Sequence, residues 1–440
     1  MVVPKMTQPK GVLLFMKIAA IIAEYNPLHQ GHRYHMEKAR ELSGADYVVA
    51  ALSGDFVQRG APAVFDKYQR TQMALLAGAD LVLEIPSVFA AGSAEDFAFA
   101  GVALLSGLGA DGFLIFGSEA GDTAPLLSAA SILNEEPEGF QALLRSFLSQ
   151  GLSYPLARER ALSAFSGTSE ISSSCGVFSS PNNILGIEYC RALLKQQSQL
   201  KPLTVLRRGG YHDPGLIAGS PDPDSPSCFS SASAIRKAIQ EWDMEKSGDL
   251  WEALSSHIPK ELRSFYDAPL PLYTDDLSLL LNTAILSLSH SGRSFADYEG
   301  FSPELAARLG KHLYSASSWE GRIAQLKTKN YTYTRISRAL LHLVLGVTKD
   351  MCQAMRENGY APYARILGFR KNALPLLSYI KRNTSVPLIT KTADSERAVG
   401  PEIFSFLQQD FYASHIYQAV RSAKYRVPAE NEFTRQITIL

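Results

Sequence analysis

The sequence predicts an α/β protein: a Rossmann-like parallel sheet followed by a mainly α-helical domain. Three observations carry that expectation. Short apolar runs alternate with segments of helical period from Ile18 to about residue 240. Polar turns rich in Gly, Ser and Asp follow those runs, and beyond Trp242 the alternation gives way to long helical patterns. The expected divisions are an extension over 1–15, a sheet domain over 16–240 and a mainly helical domain over 241–440, with "DAPLPL" (Asp267–Leu272) as the hinge.

Taken in order, Ile18–Ala23 is a short apolar run suited to a strand buried on both faces, and Arg33–Leu42 has amphipathic helical spacing. "DYVVAALSG" (Asp46–Gly54) is the second strand, followed by a helix from about Asp66 to Gly78. "DLVLEIP" (Asp80–Pro86) is the third, a helix from about Ala94 to Leu108 follows, and "DGFLIFGSE" (Asp111–Glu119) is the fourth. This order predicts parallel β-α-β units with right-handed crossovers and ligands at the carboxyl ends of the strands. Ala120–Ser166 reads as helical. "SSPNNILGIEYCRALLKQ" (Ser179–Gln196) reads as a helix capped by Ser180 or Asn182, with Pro181 in its first turn. "KPLTVLRRGGYHD" (Lys201–Asp213) is a fifth strand ending in Arg207 and Arg208, which read as phosphate or ribose contacts or as an ordinary exposed basic pair. After a Pro/Asp/Ser loop, "SSASAIRKAI" (Ser230–Ile239) opens a helix with hydroxyls at its amino end, where Ser231 could be a phosphate contact, a simple N-cap, or both.

The tetrad His29-Gln30-Gly31-His32 lies between the first strand and the first helix. Free backbone N–H groups and the helix dipole favour phosphate there. Two imidazoles at that point can donate hydrogen bonds to an α-phosphate as charge builds during displacement of pyrophosphate. Gly31 has no Cβ, so a nucleobase or ribose could lie against its backbone, and Pro27 stiffens the approach. The plain reading of the same residues is a helix entry with one satisfied core histidine. The strand before and the helix after favour a site.

Composition narrows the classes. Forty-three basic and 43 acidic residues cancel, so no whole-chain field draws nucleic acid or membrane, and any polyanion site must be local. Cys175, Cys190, Cys228 and Cys352 form no C-x-x-C and no zinc-type pairing, which suits a reducing cytosol and gives no protein-bound metal. Residues 1–23 imitate a signal peptide, but Lys17 interrupts the apolar run and cleavage would fall just before the tetrad; Met16 reads as an alternative start. In the helical half, basic residues from Arg308 to Arg338 and from Arg365 to Arg382 are interleaved with Tyr331, Tyr333, Tyr363 and Phe369, which suits an RNA backbone or a solvated helix face. Arg335 and Arg338 fall on one face of a helix whose Ile336, Leu340, Leu343 and Val344 face the core, so both are expected to point towards RNA phosphates or, alternatively, to pair with acidic residues such as Asp350 or Glu357 and hold the helical domain together.

The tetrad matches the H-x-G-H signature of the superfamily that includes class I aminoacyl-tRNA synthetases and small nucleotidylyltransferases, and "SASAIR" partly matches the second signature of the latter, with Ala232 where Ser is common. Together, "IIAEYNPLHQGHRYH", "SGDFVQRGAPA", "GSEAGD", "PNNILGIEY", "RRGGYHD", "SASAIR" and "ARILGF" resemble the bacterial tRNA(Met) cytidine acetate ligases across nearly the whole chain from Met16. The resemblance implies an adenylating domain over 16–240 and a helical tRNA-binding portion over 241–440. It implies a ligase that forms acetyl-adenylate from acetate and ATP and acetylates N4 of the wobble cytidine of elongator tRNA(Met).

On the same ground, ATP, with Mg2+, would contact Ile22, Ala23, Glu24, Tyr25, Asn26, Pro27, Leu28, His29, Gln30, Gly31, His32, Arg33, Tyr34 and His35, then Gly117, Asn182, Arg207 and Arg208, and the hydroxyls Ser231 and Ser233. His29 and His32 would be the catalytic pair. Asp55 and Glu24 are the carboxylates weighed as base for the cytidine amine. The implied partners are tRNA and acetate, with neither membrane nor DNA, in the cytoplasm. Two other readings share the phosphate features: a nucleotidylyltransferase acting on a small phosphorylated metabolite, and a non-catalytic ATP- or RNA-binding module.

Overall fold

The computed structural model describes residues 16–166, 178, 180–207, 215–217, 229–242, 248–315, 318–329 and 331–440. Its first half alternates as the apolar runs predict. β1 (Lys17–Ala23) leads to α1 (Gln30–Ser43) and β2 (Tyr47–Ser53), then to a two-strand ribbon of β3 (Phe56–Val57) and β4 (Ala61–Pro62). α2 (Lys67–Ala77), β5 (Leu81–Ile85), α3 (Ser87–Ala90), α4 (Ala94–Ser106) and β6 (Asp111–Ser118) follow. Next come α5 (Ala124–Glu135), α6 (Glu138–Ser149), α7 (Tyr154–Phe165), α8 (Pro181–Lys195), β7 (Lys201–Leu206) and α9 (Ala232–Glu241).

β1 runs parallel to β2 on one side and to β6 on the other, so strand order reverses beside it and a crevice opens at the carboxyl edge. Ile18, Ala19, Ala20 and Ile21 are buried because helices cover both sheet faces. One core gathers around α1, α2 and α9, the other around α4, α5 and α8 together with most of the helical half. Burying a side chain such as Ile18 contributes about 1.5–3 kcal/mol.

The second half is helical from Leu250 to Glu357 but does not stay apart from the sheet. β8 (Ala364–Phe369) pairs antiparallel with β5, and β9 (Leu388–Ile389) and β10 (Thr438–Ile439) pair parallel with β8, giving the order β10-β8-β5-β2-β1-β6-β7. The sheet therefore does not end at the boundary expected near 241. "ARILGF" is fully buried, an apolar run too short for its period to separate strand from helix. A buried ion cluster fastens the join: Lys67 and Arg365 each pair with Glu84 at 2.8 Å, and both also reach Glu432.

Candidate active site

The turn after β1 is shaped by cations that hold its carbonyls. Arg70, fully buried, donates to the carbonyls of Glu24 (2.7 Å), Ser53 (3.1 Å) and Phe65 (2.9 Å), tying the carboxyl ends of β1 and β2 together. Arg236, from α9, donates to the Asn26 carbonyl at 2.6 Å and to Ser233 Oγ at 2.9 Å. The Asn26 side chain accepts from Val64 N at 2.8 Å. Between these anchors Tyr25 adopts a left-handed backbone at φ 47°.

The two tetrad histidines cap α1 reciprocally. Gly31 N–H donates to His29 Nδ1 at 3.0 Å, and His29 N–H donates to His32 Nδ1 at 3.3 Å. A nitrogen that accepts from a backbone N–H carries no proton, so each neutral ring holds its hydrogen on Nε2. Burial holds both rings neutral. His29 is lowered to about 3, first by desolvation and then by Arg207, Arg236 and His257. His32 lies well below its ordinary value for the same first reason, with His29, Arg207 and His35 adding to it. The ring centroids are 3.9 Å apart, so the two imidazoles, each with its hydrogen on Nε2, lie side by side.

Two details differ from the sequence reading. The first N–H groups of α1 are not free: Gln30 N–H donates to His257 O at 2.8 Å and Gly31 N–H goes to His29. And the space beside Gly31 is filled by the His29 ring, since a Cβ there would lie 2.9 Å from His29 Cε1. The glycine leaves room for the His29 ring rather than for a nucleobase.

The opposite lip of the crevice is built where β6, α8 and β7 end. Asn182 Nδ2 donates to Glu119 Oε1 at 2.5 Å, and Arg207 Nη1 donates to Asn182 Oδ1 at 2.9 Å. Asn182 is thus a bridge between two charged side chains and not the helix cap that its position suggests. The neighbouring Asn183 accepts from Glu119 N and Ala120 N, fixing the loop after β6. The Arg207 side chain crosses Gly117, where a Cβ would come within 3.0 Å of its Cγ. At α9, Ser231 Oγ accepts from Ala234 N at 3.1 Å, so Ser231 is an N-cap and also borders the crevice.

These lips enclose a cavity of about 610 Å3. Of the residues expected at the nucleotide, Ile22–Asn26, His29, Gly31, His32, Tyr34, His35, Gly117, Asn182, Arg207, Ser231 and Ser233 line it. Pro27 and Leu28 are buried beneath the turn; Gln30 turns to the carbonyl of Ile258 and Arg33 to Glu37 and Glu261. Arg208 lies outside the described residues. Among the described residues, no group of three His, Cys, Asp or Glu could hold a metal, and no helix is long and apolar enough to cross a membrane.

A family model described as HIGH Nucleotidyl Transferase matches residues 16–432. The tRNA(Met) cytidine acetate ligase of Acetivibrio thermocellus is 36% identical over 431 residues, 97% of this chain and 100% of that protein. The chain belongs to the HIGH nucleotidyl transferases, among the tRNA(Met) cytidine acetate ligases. The ligase of the same name from Caldanaerobacter subterraneus is 38% identical, covering 91% of this chain and 95% of its own. Thermotoga maritima TmcAL bound with alpha-thio ATP superposes with a TM-score of 0.82 at 30% identity, covering 96% of this chain and 100% of that one.

In this nucleotidyl transferase the cavity also has walls that sequence reasoning missed. Gln58 and Arg59 from the β3–β4 ribbon, Phe97 from α4, Leu185 and Tyr189 from α8, and Phe229 and Arg236 border it. So do Thr334 and Arg338 of the helix Tyr333–Leu345. Ile336, Leu340, Leu343 and Val344 of that helix face the core as its period requires. The outward arginines separate: Arg335 lies over the Tyr331 ring at 4.7 Å, whereas Arg338 enters the cavity. A helical period distinguishes buried from exposed faces, not which exposed residue meets another domain. Of the two carboxylates weighed as base, Asp55 is buried and accepts from Lys67 N and Ser414 Oγ, while Glu24 lines the cavity.

Proposed function

We propose that this chain joins acetate to ATP, releasing pyrophosphate, and passes the acetyl group to N4 of the wobble cytidine of elongator tRNA(Met), with AMP as the second product. The observation that carries the reading is the pair of neutral Nε2–H imidazoles at the carboxyl edge of the sheet, in a chain similar end to end to ligases of that name. An acetate oxygen attacks the α-phosphorus, and the P–O bond to pyrophosphate breaks. His29 and His32 donate to the α-phosphate oxygens, where negative charge rises, and as neutral donors they need give up no proton. Arg207 and Asn182 hold the nucleotide on the β6 side, and Ser231, Ser233 and Arg236 face the leaving phosphates. Mg2+ would arrive on the triphosphate as part of the substrate.

The second step breaks the mixed anhydride between the acetyl carbon and the AMP oxygen. The cytidine N4 attacks that carbon and loses one proton, for which Glu24 is the carboxylate facing the cavity. Glu24 Oε1 accepts from Gln58 N at 2.9 Å, which orients the carboxylate. The basic residues of the helical half that stay exposed, among them Arg335, Lys371, Lys381 and Arg382, supply the surface for the tRNA, whereas Arg322 and Arg365 of the same runs are buried. Exchange of labelled pyrophosphate into ATP that depends on acetate tests the first step. Exchange that requires a phosphorylated metabolite in place of acetate would overturn the ligase reading.

A further inference from the structure

The cavity has more wall than a nucleotide needs. The groups assigned to the phosphates, His29, His32, Ser231, Ser233 and Arg236, come from α1 and α9, on one face of the sheet. On the other face, between α4, α8 and the helix Tyr333–Leu345, the lining changes to Ala94, Phe97, Leu185 and Tyr189, with the Arg338 guanidinium among them. Phe97 and Tyr189 are 2% and 3% exposed, so this wall is packed rather than a collapsed surface.

Arg338 is held there by its backbone. Gly60, at φ 76°, lies so close to the helix that a Cβ would come 2.4 Å from Arg338 N, and Ser337 Oγ donates to Gly60 O at 2.7 Å. The residue therefore cannot slide without moving the β3–β4 ribbon. Among the described residues its guanidinium meets no carboxylate in an ion pair. Asp96 is within its electrostatic reach but is already taken by Arg356 at 3.0 and 3.2 Å. Tyr189, in the field of Glu24, likewise has a hydroxyl with no hydrogen-bond partner among the described residues. A half-buried cation, an unused hydroxyl and a short apolar wall lining one cavity suit a small anion with an apolar end.

We infer that this part of the cavity is the acyl subsite: Arg338 pairs with the carboxylate of acetate, and Phe97 and Tyr189 bound its methyl group. The inference rests on the adenylating reading above and adds to it where the second substrate sits and why it is short. A forked guanidinium matches a carboxylate, and the ring of Phe97 closes the space that a longer chain would need.

The test is acetate-dependent ATP–pyrophosphate exchange by the full chain and its Arg338→Met, Arg338→Lys and Phe97→Leu variants. Arg338→Met should raise KM for acetate by about 10- to 100-fold, as expected for loss of a charge-assisted pair, and leave KM for ATP within about twofold. Arg338→Lys should recover part of that loss. Phe97→Leu should raise the propionate-to-acetate ratio of kcat/KM, by up to the roughly 10- to 200-fold that one methylene is worth in a tight pocket. A raised KM for ATP with an unchanged KM for acetate would assign Arg338 to the phosphates and overturn the subsite. So would unchanged exchange with weakened tRNA acetylation, which would assign it to the RNA backbone. Normal exchange by every variant overturns the subsite alone, whereas a wild-type chain that does not exchange with acetate overturns the functional reading and the subsite with it. If Arg338→Met melts before assay, the lysine and Phe97 variants decide the question.

Discussion

The two walls of the cavity are made in different ways. The tetrad wall is local: within a few residues His29 caps α1, His32 caps back, and the glycine between them leaves room for the ring. The facing wall is assembled from α4, α8, the β3–β4 ribbon and the helix Tyr333–Leu345, elements far apart in the chain that meet only when the helical half docks. On the proposed reading, chemistry that must be aimed within a fraction of an ångström rests on hydrogen bonds inside one turn. On the same reading, selection of a short acid rests on long-range packing. Substitutions should therefore affect rate on the first wall and affinity or stability on the second.

The largest expected effect is on the tetrad wall. His32→Ala removes a donor that matters most as the α-phosphate gains charge, so the exchange rate should fall by about 2.7–4 kcal/mol in barrier, or 10²- to 10³-fold, with little change in KM for ATP. Near-normal exchange would make His32 a structural residue. On the facing wall, Gly60→Ala should act through docking. The left-handed backbone alone costs about 1–2 kcal/mol, and the clash with Arg338 N adds to it, so the urea midpoint should drop while the rate at saturating substrates changes less. A full loss of rate with unchanged stability would erase the distinction between the walls.

Asn182→Ala should have a smaller effect, because its bridge between Glu119 and Arg207 is partly exposed: about 1 kcal/mol, read as a KM for ATP raised roughly fivefold. A further effect is a matter of protons. The folded pKa of His29, about 3, lies below the 6.5 of an unfolded histidine, so below pH 6.5 the unfolded chain takes up the proton first. The contribution of His29 to stability is therefore complete above pH 6.5 and is lost as pH falls towards 3. Imidazole nitrogen NMR should show a neutral ring protonated on Nε2 at pH 5.5; a charged ring at that pH would contradict the capping geometry.

The local wall was legible in the sequence and the assembled one was not. Ile18–His35 announces strand, turn and helix within a single window, and the order of the five parallel strands follows from alternation, whereas the short β3–β4 ribbon and α3 lie in stretches that read as turns. Of the two candidate caps, Ser180 holds that place, and Asn182 reads as a cap only because nothing local discloses Glu119 across the crevice. Arg338 looked equivalent to Arg335, since helical period cannot tell cavity from solvent. β8 hid among helices because its partner, β5, lies far upstream in the chain. Arg236 sat inside a quoted motif, yet its contact with the Asn26 carbonyl depends on the tertiary fold.

The return of the chain to the sheet also bears on how the protein is born. When a ribosome has completed β7, the strands that carry the tetrad are all synthesised, but β5 still presents an unpaired edge, with Glu84 waiting for Arg365. Counted from the end of β5 to the end of β8, at about 5–20 residues per second that edge stays open for roughly a quarter of a minute to a minute, a bare template for stray strands. The nascent sheet thus has a period of vulnerability that closes only when β8 emerges. Expression of the first 241 residues alone would make that period permanent.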